Sequence, residues 1–357
     1  MGNMAERLER VERVERAFRR QHAAGAFPGG QLVVQQGTER VLDLAIGTAR
    51  GLRASEGSLE AVSPTTRFQV CSASKALLGH AIARLQERGQ IDIHAPVRRY
   101  IPEFVAPDVT VLDVLTHRSG ITLPELSRHP ELWNDWSNVV RALREEPAAF
   151  PRGTLAYQPM AFGWILTEVL QRITDETLEA FSAREHGPDF AWRYAGPAAS
   201  TYWLGAERYL LNGANLADGF ERVNNEIAGR TALVPGAAMY TTARALAGFY
   251  ASLLADRSET LAFYTKPQTR GFDRITGAYV VLGCGFGVGW RLPHVFGWWG
   301  SQACFGHAGA FAVVAYADRS TGAGIAIVTN ASRSLVDIVR RFAPLGSAIR
   351  SALRATV

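Results

Sequence analysis

Apolar residues recur along this 357-residue chain with two periods, and the elements change where the period changes. Leu8, Val11, Val14 and Phe18 form a stripe at helical spacing. Glu6–Arg10, Glu9–Arg13 and Glu12–Arg16 supply i,i+4 pairs on the other faces, so a helix is expected over about 5–22. Residues 30–36 and 40–46 read as two strands joined by a turn at Gly37. An apolar stretch, 76–82, then charged Arg84, Glu87 and Arg88 and a stop at Gly89, predict a helix starting near Ser72. Helical period returns over 160–182 and 241–254, and a last helix is expected over 335–353. Residues 285–290, 310–317 and 322–329 read as strands, the last two joined by a hairpin loop at 318–321. Gly283, Gly285, Gly287 and Gly289 alternate with period two, which favours a strand over a phosphate loop.

Strands at both ends with helices between them do not alternate as βαβ units. The expected class is α+β: an antiparallel sheet built from N- and C-terminal segments and flanked by helices, plus a mostly helical region. Residues 1–75 with 235–357 would form the sheet domain and 76–234 the helical one, with the active site in the cleft between.

Composition narrows the function. With 47% hydrophobic and 20% charged residues the chain is of soluble globular type. Its apolar runs, such as 311–317, are too short to cross a bilayer, so no membrane partner is expected. The N-terminus lacks a basic-then-apolar signal pattern, which favours the cytoplasm. The net charge of +5 is spread out, without a basic cluster interleaved with aromatics, so no nucleic-acid partner is expected. Cys71, Cys284 and Cys304 show no Cys-x-x-Cys spacing and the histidines no His-x-x-x-His pair, so neither a metal nor another cofactor is implied. Cys71 beside Ser72 could itself be a nucleophile, but reads first as a small buried apolar residue. Oligomeric state is left open.

Lysine usage carries the chemistry. There are two lysines, Lys75 and Lys266, against thirty-six arginines. Arginine stays charged, whereas a buried lysine can lose its proton and act as a base. Ser72-Ala73-Ser74-Lys75 sets a hydroxyl and an amine three residues apart on one helical face, the arrangement that activates a serine. Tyr157, between a Pro151/Gly153 turn and a helix, is a relay candidate; a lysine beside it would favour the phenolate. By itself it reads sooner as an ordinary half-buried tyrosine. His307, in a segment of small residues, reads equally as functional or as a satisfied structural histidine.

Together these segments resemble the serine β-lactamase and penicillin-binding-protein-like family, and within it class C β-lactamases and family VIII carboxylesterases. The resemblance spans about 25–335. It rests on residues 68–75, Leu115-Thr116-His117-Arg118-Ser119-Gly120-Ile121, Pro151-Arg152-Gly153-Thr154 leading to Tyr157, 235–244, 285–290 and Gly306-His307-Ala308-Gly309. It implies a β-lactamase/transpeptidase-like fold, Ser72 as the acylated nucleophile, and Lys75 with Tyr157 as base and proton relay. It also implies an oxyanion hole from the backbone N–H groups of Ser72 and Ala310. His307 and Gly309 stand where the family usually carries Lys-Thr-Gly. Pro159 stands where penicillin-active members usually carry Asn. Gly309, Phe311, Trp299 and Pro159 are candidates to line the substrate, in a pocket rich in aromatics. Losing the amide, the fixed charge and the hydroxyl weakens recognition of a penicillin carboxylate or a peptide. The expected function is a serine esterase acting on a small-molecule ester through acyl-Ser72. The alternative is an acyltransferase using an alcohol or amine acceptor. A β-lactamase or D-amino-acid peptidase is disfavoured by Pro159 and His307.

Overall fold

A computed structural model describes residues 2–204, 210–211, 214–215, 221, 223–291, 293–310 and 312–354. Among these residues nine strands form one antiparallel sheet. The N-terminal part contributes β1 (Gly29–Gln36), β2 (Glu39–Arg50) and β3 (Glu60–Ala61). The C-terminal part contributes β4 (Thr269–Phe272), β5 (Tyr279–Leu282), β6 (Gly287–Val288), β7 (Cys304–Gly309), β8 (Val313–Asp318) and β9 (Ala323–Thr329). The order is β3-β2-β1-β9-β8-β7-β6-β5-β4. The two ends of the chain meet at one seam, where β1 pairs with β9 from Gly30↔Thr329 to Gln36↔Ala323. This is the α+β sheet expected from the sequence.

Alternation along the strands sorts side chains to two faces. Leu32, Val34, Val314, Tyr316, Ile325 and Ile327 face a core covered by α1 (Gly2–Ala23) and the C-terminal helix, Leu335–Leu353. Val33, Val313, Ala315, Ala326 and Val328 face the opposite way, into a larger core with α2 (Ser74–Glu87), α3 (Ala161–Thr174) and α4 (Ala243–Ala255). In α1, Val14 and Phe18 are buried while Leu8 is 58% exposed, so the apolar stripe is shorter than its spacing suggested. The three expected Glu–Arg pairs form on its outer faces.

Elsewhere the elements depart from the pattern. The helical period over 160–182 is broken where Asp175 turns left-handed (φ 56°); Thr177 then caps a second helix, Leu178–His186. Residues 283–286 are a tight turn rather than strand: Gly285 has φ 78°, and the Gly283 N–H bonds the Phe286 carbonyl at 2.7 Å. The strand expected from residue 310 begins at Val313, and the preceding segment, Cys304–Gly309, is itself its hairpin partner. Small residues hid this strand. They serve close backbone packing instead of the alternating bulk that marks a strand. No helix among the described residues is long and apolar enough to cross a membrane.

Candidate active site

Ser72 lies in a one-turn 3₁₀ segment, Cys71–Ala73, just ahead of α2. The turn hangs from a short antiparallel pair, Phe68–Gln69 with Tyr240–Thr241. The Val70 N–H donates to the Met239 carbonyl at 2.8 Å, and the Ala73 N–H closes the turn onto Val70 at 3.0 Å. Cys71 takes a left-handed φ of 45°, uncommon for a side-chain-bearing residue. Its thiol is buried, and burial pushes it up to about 12 although Lys75 works the other way. It stays a protonated thiol, which argues against Cys71 as a nucleophile.

One helical turn on, Lys75 is fully buried. Its Nζ lies 3.2 Å from Ser72 Oγ, donates to the Pro159 carbonyl at 2.7 Å and bonds the Gly236 carbonyl. Burial pushes the amine down to about 7, with Cys71 opposing weakly. A neutral amine has two donors and one lone pair. With the two carbonyls taking the donors, the lone pair is left for the Ser72 hydroxyl. Pro159, singled out for the side-chain amide it lacks, therefore contributes its main-chain carbonyl.

Tyr157 joins this pair: Lys75 Nζ sits 4.9 Å from its ring centroid, and Ser72 is near enough to lower the titration of its phenol. The expectation of a lysine-stabilised phenolate is not met. Burial raises the phenol well above its ordinary value, and the lowering influence of nearby Ser72 does not offset it. Near neutral pH the amine of Lys75, and not the phenol of Tyr157, offers a lone pair, and the Tyr157 hydroxyl keeps its proton.

His307 on β7 stands 6.4 Å from Tyr157, ring to ring. Its Nδ1–H donates to the Ala308 carbonyl at 2.6 Å, which leaves Nε2 as a lone pair. Burial and the Lys75 charge push it down to about 3, so it brings no positive charge. Gly309 closes β7 against the nucleophile turn: a Cβ there would lie 2.2 Å from the Val70 carbonyl. Only glycine permits this approach. Ala310 follows in the exposed turn.

One of the expected lining residues stands apart. Trp299 is 72% exposed, and its carbonyl accepts from Arg350 of the C-terminal helix, on the far side of the sheet. Its segment is drawn there by Arg350 and by Ser347, which bonds the Trp298 N–H at 2.8 Å. Phe311 lies outside the described residues. The wider aromatic set is largely structural: Phe305 packs edge-on to Phe286, Trp192 is buried, and Tyr202 bonds Glu56.

Residues the sequence reading did not assign complete the surroundings. His117, at φ 57°, lies tilted against Tyr157 with ring centroids 4.5 Å apart and stacks on Phe162 at 5.1 Å. Buried Asp273 accepts the Tyr157 N–H at 2.6 Å. His117 lay inside a motif already noted. The Asp273–Gly277 turn carries no local sign of where its carboxylate will point. No cluster of three or more metal-ligating side chains occurs among the described residues.

A family model described as Beta-lactamase matches residues 14–344. The chain belongs to the Beta-lactamase family. Esterase/beta-lactamase LipL of Mycobacterium tuberculosis is 25% identical over 365 residues, covering 88% of this chain and 80% of that protein. A penicillin-binding protein homolog from Caulobacter crescentus shares the fold with a TM-score of 0.80 at 24% identity, over 96% of this chain and 98% of that one. A family VIII carboxylesterase does so with a TM-score of 0.76 at 22% identity, over 93% and 96%. The architecture is thus β-lactamase/transpeptidase-like.

Proposed function

We propose that this protein is a serine hydrolase that cleaves an uncharged carboxylic ester through an acyl-Ser72 intermediate. The observation that carries the reading is the buried Lys75 amine, pushed down to about 7 and bonded to Ser72 and two carbonyls. That amine takes the Ser72 proton as Oγ attacks the ester carbonyl carbon. The resulting oxyanion rests on the backbone N–H groups of Ser72 and Ala310. Tyr157 relays the proton to the departing alkoxide; the C–O bond breaks, alcohol leaves and the acyl group stays on Oγ. Water then attacks the acyl carbon as the same base takes its proton; the acyl C–Oγ bond breaks, Oγ recovers the proton from the base, and the acid leaves.

The uncharged substrate follows from the site's electrostatics. His307 is neutral and Pro159 offers no side-chain amide, so neither of these two positions favours a carboxylate-bearing ligand. The esterase named among the relatives supports the same reading. The test is hydrolysis of p-nitrophenyl butyrate by the unsubstituted protein and by Ser72→Ala. We expect turnover to vanish in the variant while the thermal melt is retained. Undiminished activity in Ser72→Ala would discard the reading, and rapid turnover of a chromogenic cephalosporin would move it towards a β-lactamase. Product analysis with an added alcohol separates hydrolysis from acyl transfer, the two fates of one intermediate.

A further inference from the structure

Tyr157 lies in a stretch without helix or strand, yet its relay role needs the hydroxyl held to a fraction of an ångström. Three successive backbone N–H groups around it are each bonded from outside the stretch. The Ala156 N–H donates to the His117 carbonyl at 3.0 Å. The Tyr157 N–H donates to Asp273 Oδ1 at 2.6 Å. The Gln158 N–H donates to His117 Nδ1 at 3.1 Å. One residue thus grips both neighbours of the tyrosine, by its carbonyl and by its side chain. The same imidazole lies tilted against the phenol ring, centroids 4.5 Å apart, and stacks on Phe162, in α3, at 5.1 Å. Because Nδ1 accepts a hydrogen bond, the ring proton sits on Nε2 and the imidazole is neutral. His117 is 2% exposed and holds a left-handed φ of 57°. Backbone strain at a buried polar residue that touches a catalytic candidate points to a role beyond filling space.

We infer that His117 is a positioning residue: through its carbonyl, its Nδ1 and its ring face it clamps residues 156–158 and aims the Tyr157 hydroxyl at Ser72. The inference rests on the acyl-serine reading above. A clamp of this kind acts on the rate of acylation and not on substrate binding, since His117 touches the relay residue rather than the ester.

Two variants separate the clamp from packing. His117→Ala removes the Nδ1 acceptor and the ring. His117→Asn keeps an acceptor near the Nδ1 position and tolerates a left-handed φ. The readouts are fluorophosphonate labelling of Ser72 and kcat with KM for p-nitrophenyl butyrate. Expected for His117→Ala is a labelling rate and kcat lower by about 10–100-fold with KM within about twofold. His117→Asn should recover most of the rate. In a Tyr157→Phe background His117→Ala should cost nothing further, because the group it aims is gone. Unchanged rates in His117→Ala, equal losses in both variants, or losses that multiply in the Tyr157→Phe background would each overturn the clamp. Should His117→Ala fail to fold, the cycle is run with His117→Asn, and a residual loss that persists in full without the Tyr157 hydroxyl overturns it equally. Absence of labelling in the unsubstituted protein overturns the acyl-serine reading itself, and the clamp with it.

Discussion

Two cationic side chains are buried on opposite faces of one sheet, and their fates diverge. On the α2 face, Lys75 is ringed by Ser72 and two carbonyls, and burial pulls its amine down to about 7. On the face covered by the C-terminal helix, Arg350 is 4% exposed and donates to Asp318 Oδ2 at 2.6 Å, with Asp318 1% exposed. Burial pulls Arg350 down as well, but Cys304 and Asp318 outweigh it, and the guanidinium ends above its ordinary value. The Phe296 and Trp299 carbonyls and Cys304 Sγ take three of its four other N–H donors. The difference lies in the partners. A carboxylate fixes a buried charge in place, while carbonyls solvate the amine without compensating it and leave it free to lose a proton.

The largest effect should come from erasing that difference. Lys75→Arg puts a permanent charge where an exchangeable proton is needed, and esterase kcat should fall by on the order of 10²–10⁴-fold. A variant retaining a tenth or more of the activity would show that proton transfer does not run through this position. Next, Asp318→Asn leaves Arg350 buried without its counter-charge. It should cost roughly 3–5 kcal/mol of stability in urea unfolding, with kcat of the folded fraction unchanged. A melt equal to the unsubstituted protein's would mean that the carbonyls alone hold the guanidinium.

Acid sharpens the contrast with a smaller, graded effect. Below about 7 Lys75 becomes charged and can no longer accept a proton, so kcat/KM should drop about tenfold per pH unit. Stability should follow lower down. Burial holds His117, His80 and His186 below their ordinary value, and His307 down at about 3. Between an unfolded value near 6.5 and those folded values, the unfolded chain binds protons that the folded one refuses. Stability therefore falls as pH drops below about 6.5, by roughly 1.4 kcal/mol per unit for each such group. A kcat/KM flat from pH 7.5 to 5.5, or a melting temperature unmoved from pH 6.5 to 4.5, would contradict these assignments.

Much of this protein was written in local pattern. The N-terminal helix, the β1–β2 hairpin, the hairpin at 318–321 and the final helix follow from periodicity and turn residues. The α+β class follows from their order along the chain. Scarcity of lysine, with Ser72 three residues before Lys75, pointed to the pair that the fold sets 3.2 Å apart. Other features needed the assembled fold. β7 is made of small residues whose value is close approach to the nucleophile turn, so it gave no alternation to read. Trp299 sat near His307 in sequence but was carried to the far face by contacts with the C-terminal helix. The protonation states of Lys75, Tyr157 and His307 depend on burial and on carbonyls from residues 159, 236 and 308. The grip on residues 156–158 needs His117, 39 and 41 positions from Ala156 and Gln158, and Asp273, 116 positions from Tyr157. Side-chain identity and spacing are local quantities, so a sequence states them outright. Solvation and long-range hydrogen bonds exist only once distant segments have been packed together, and here they decide which of the candidate groups can act.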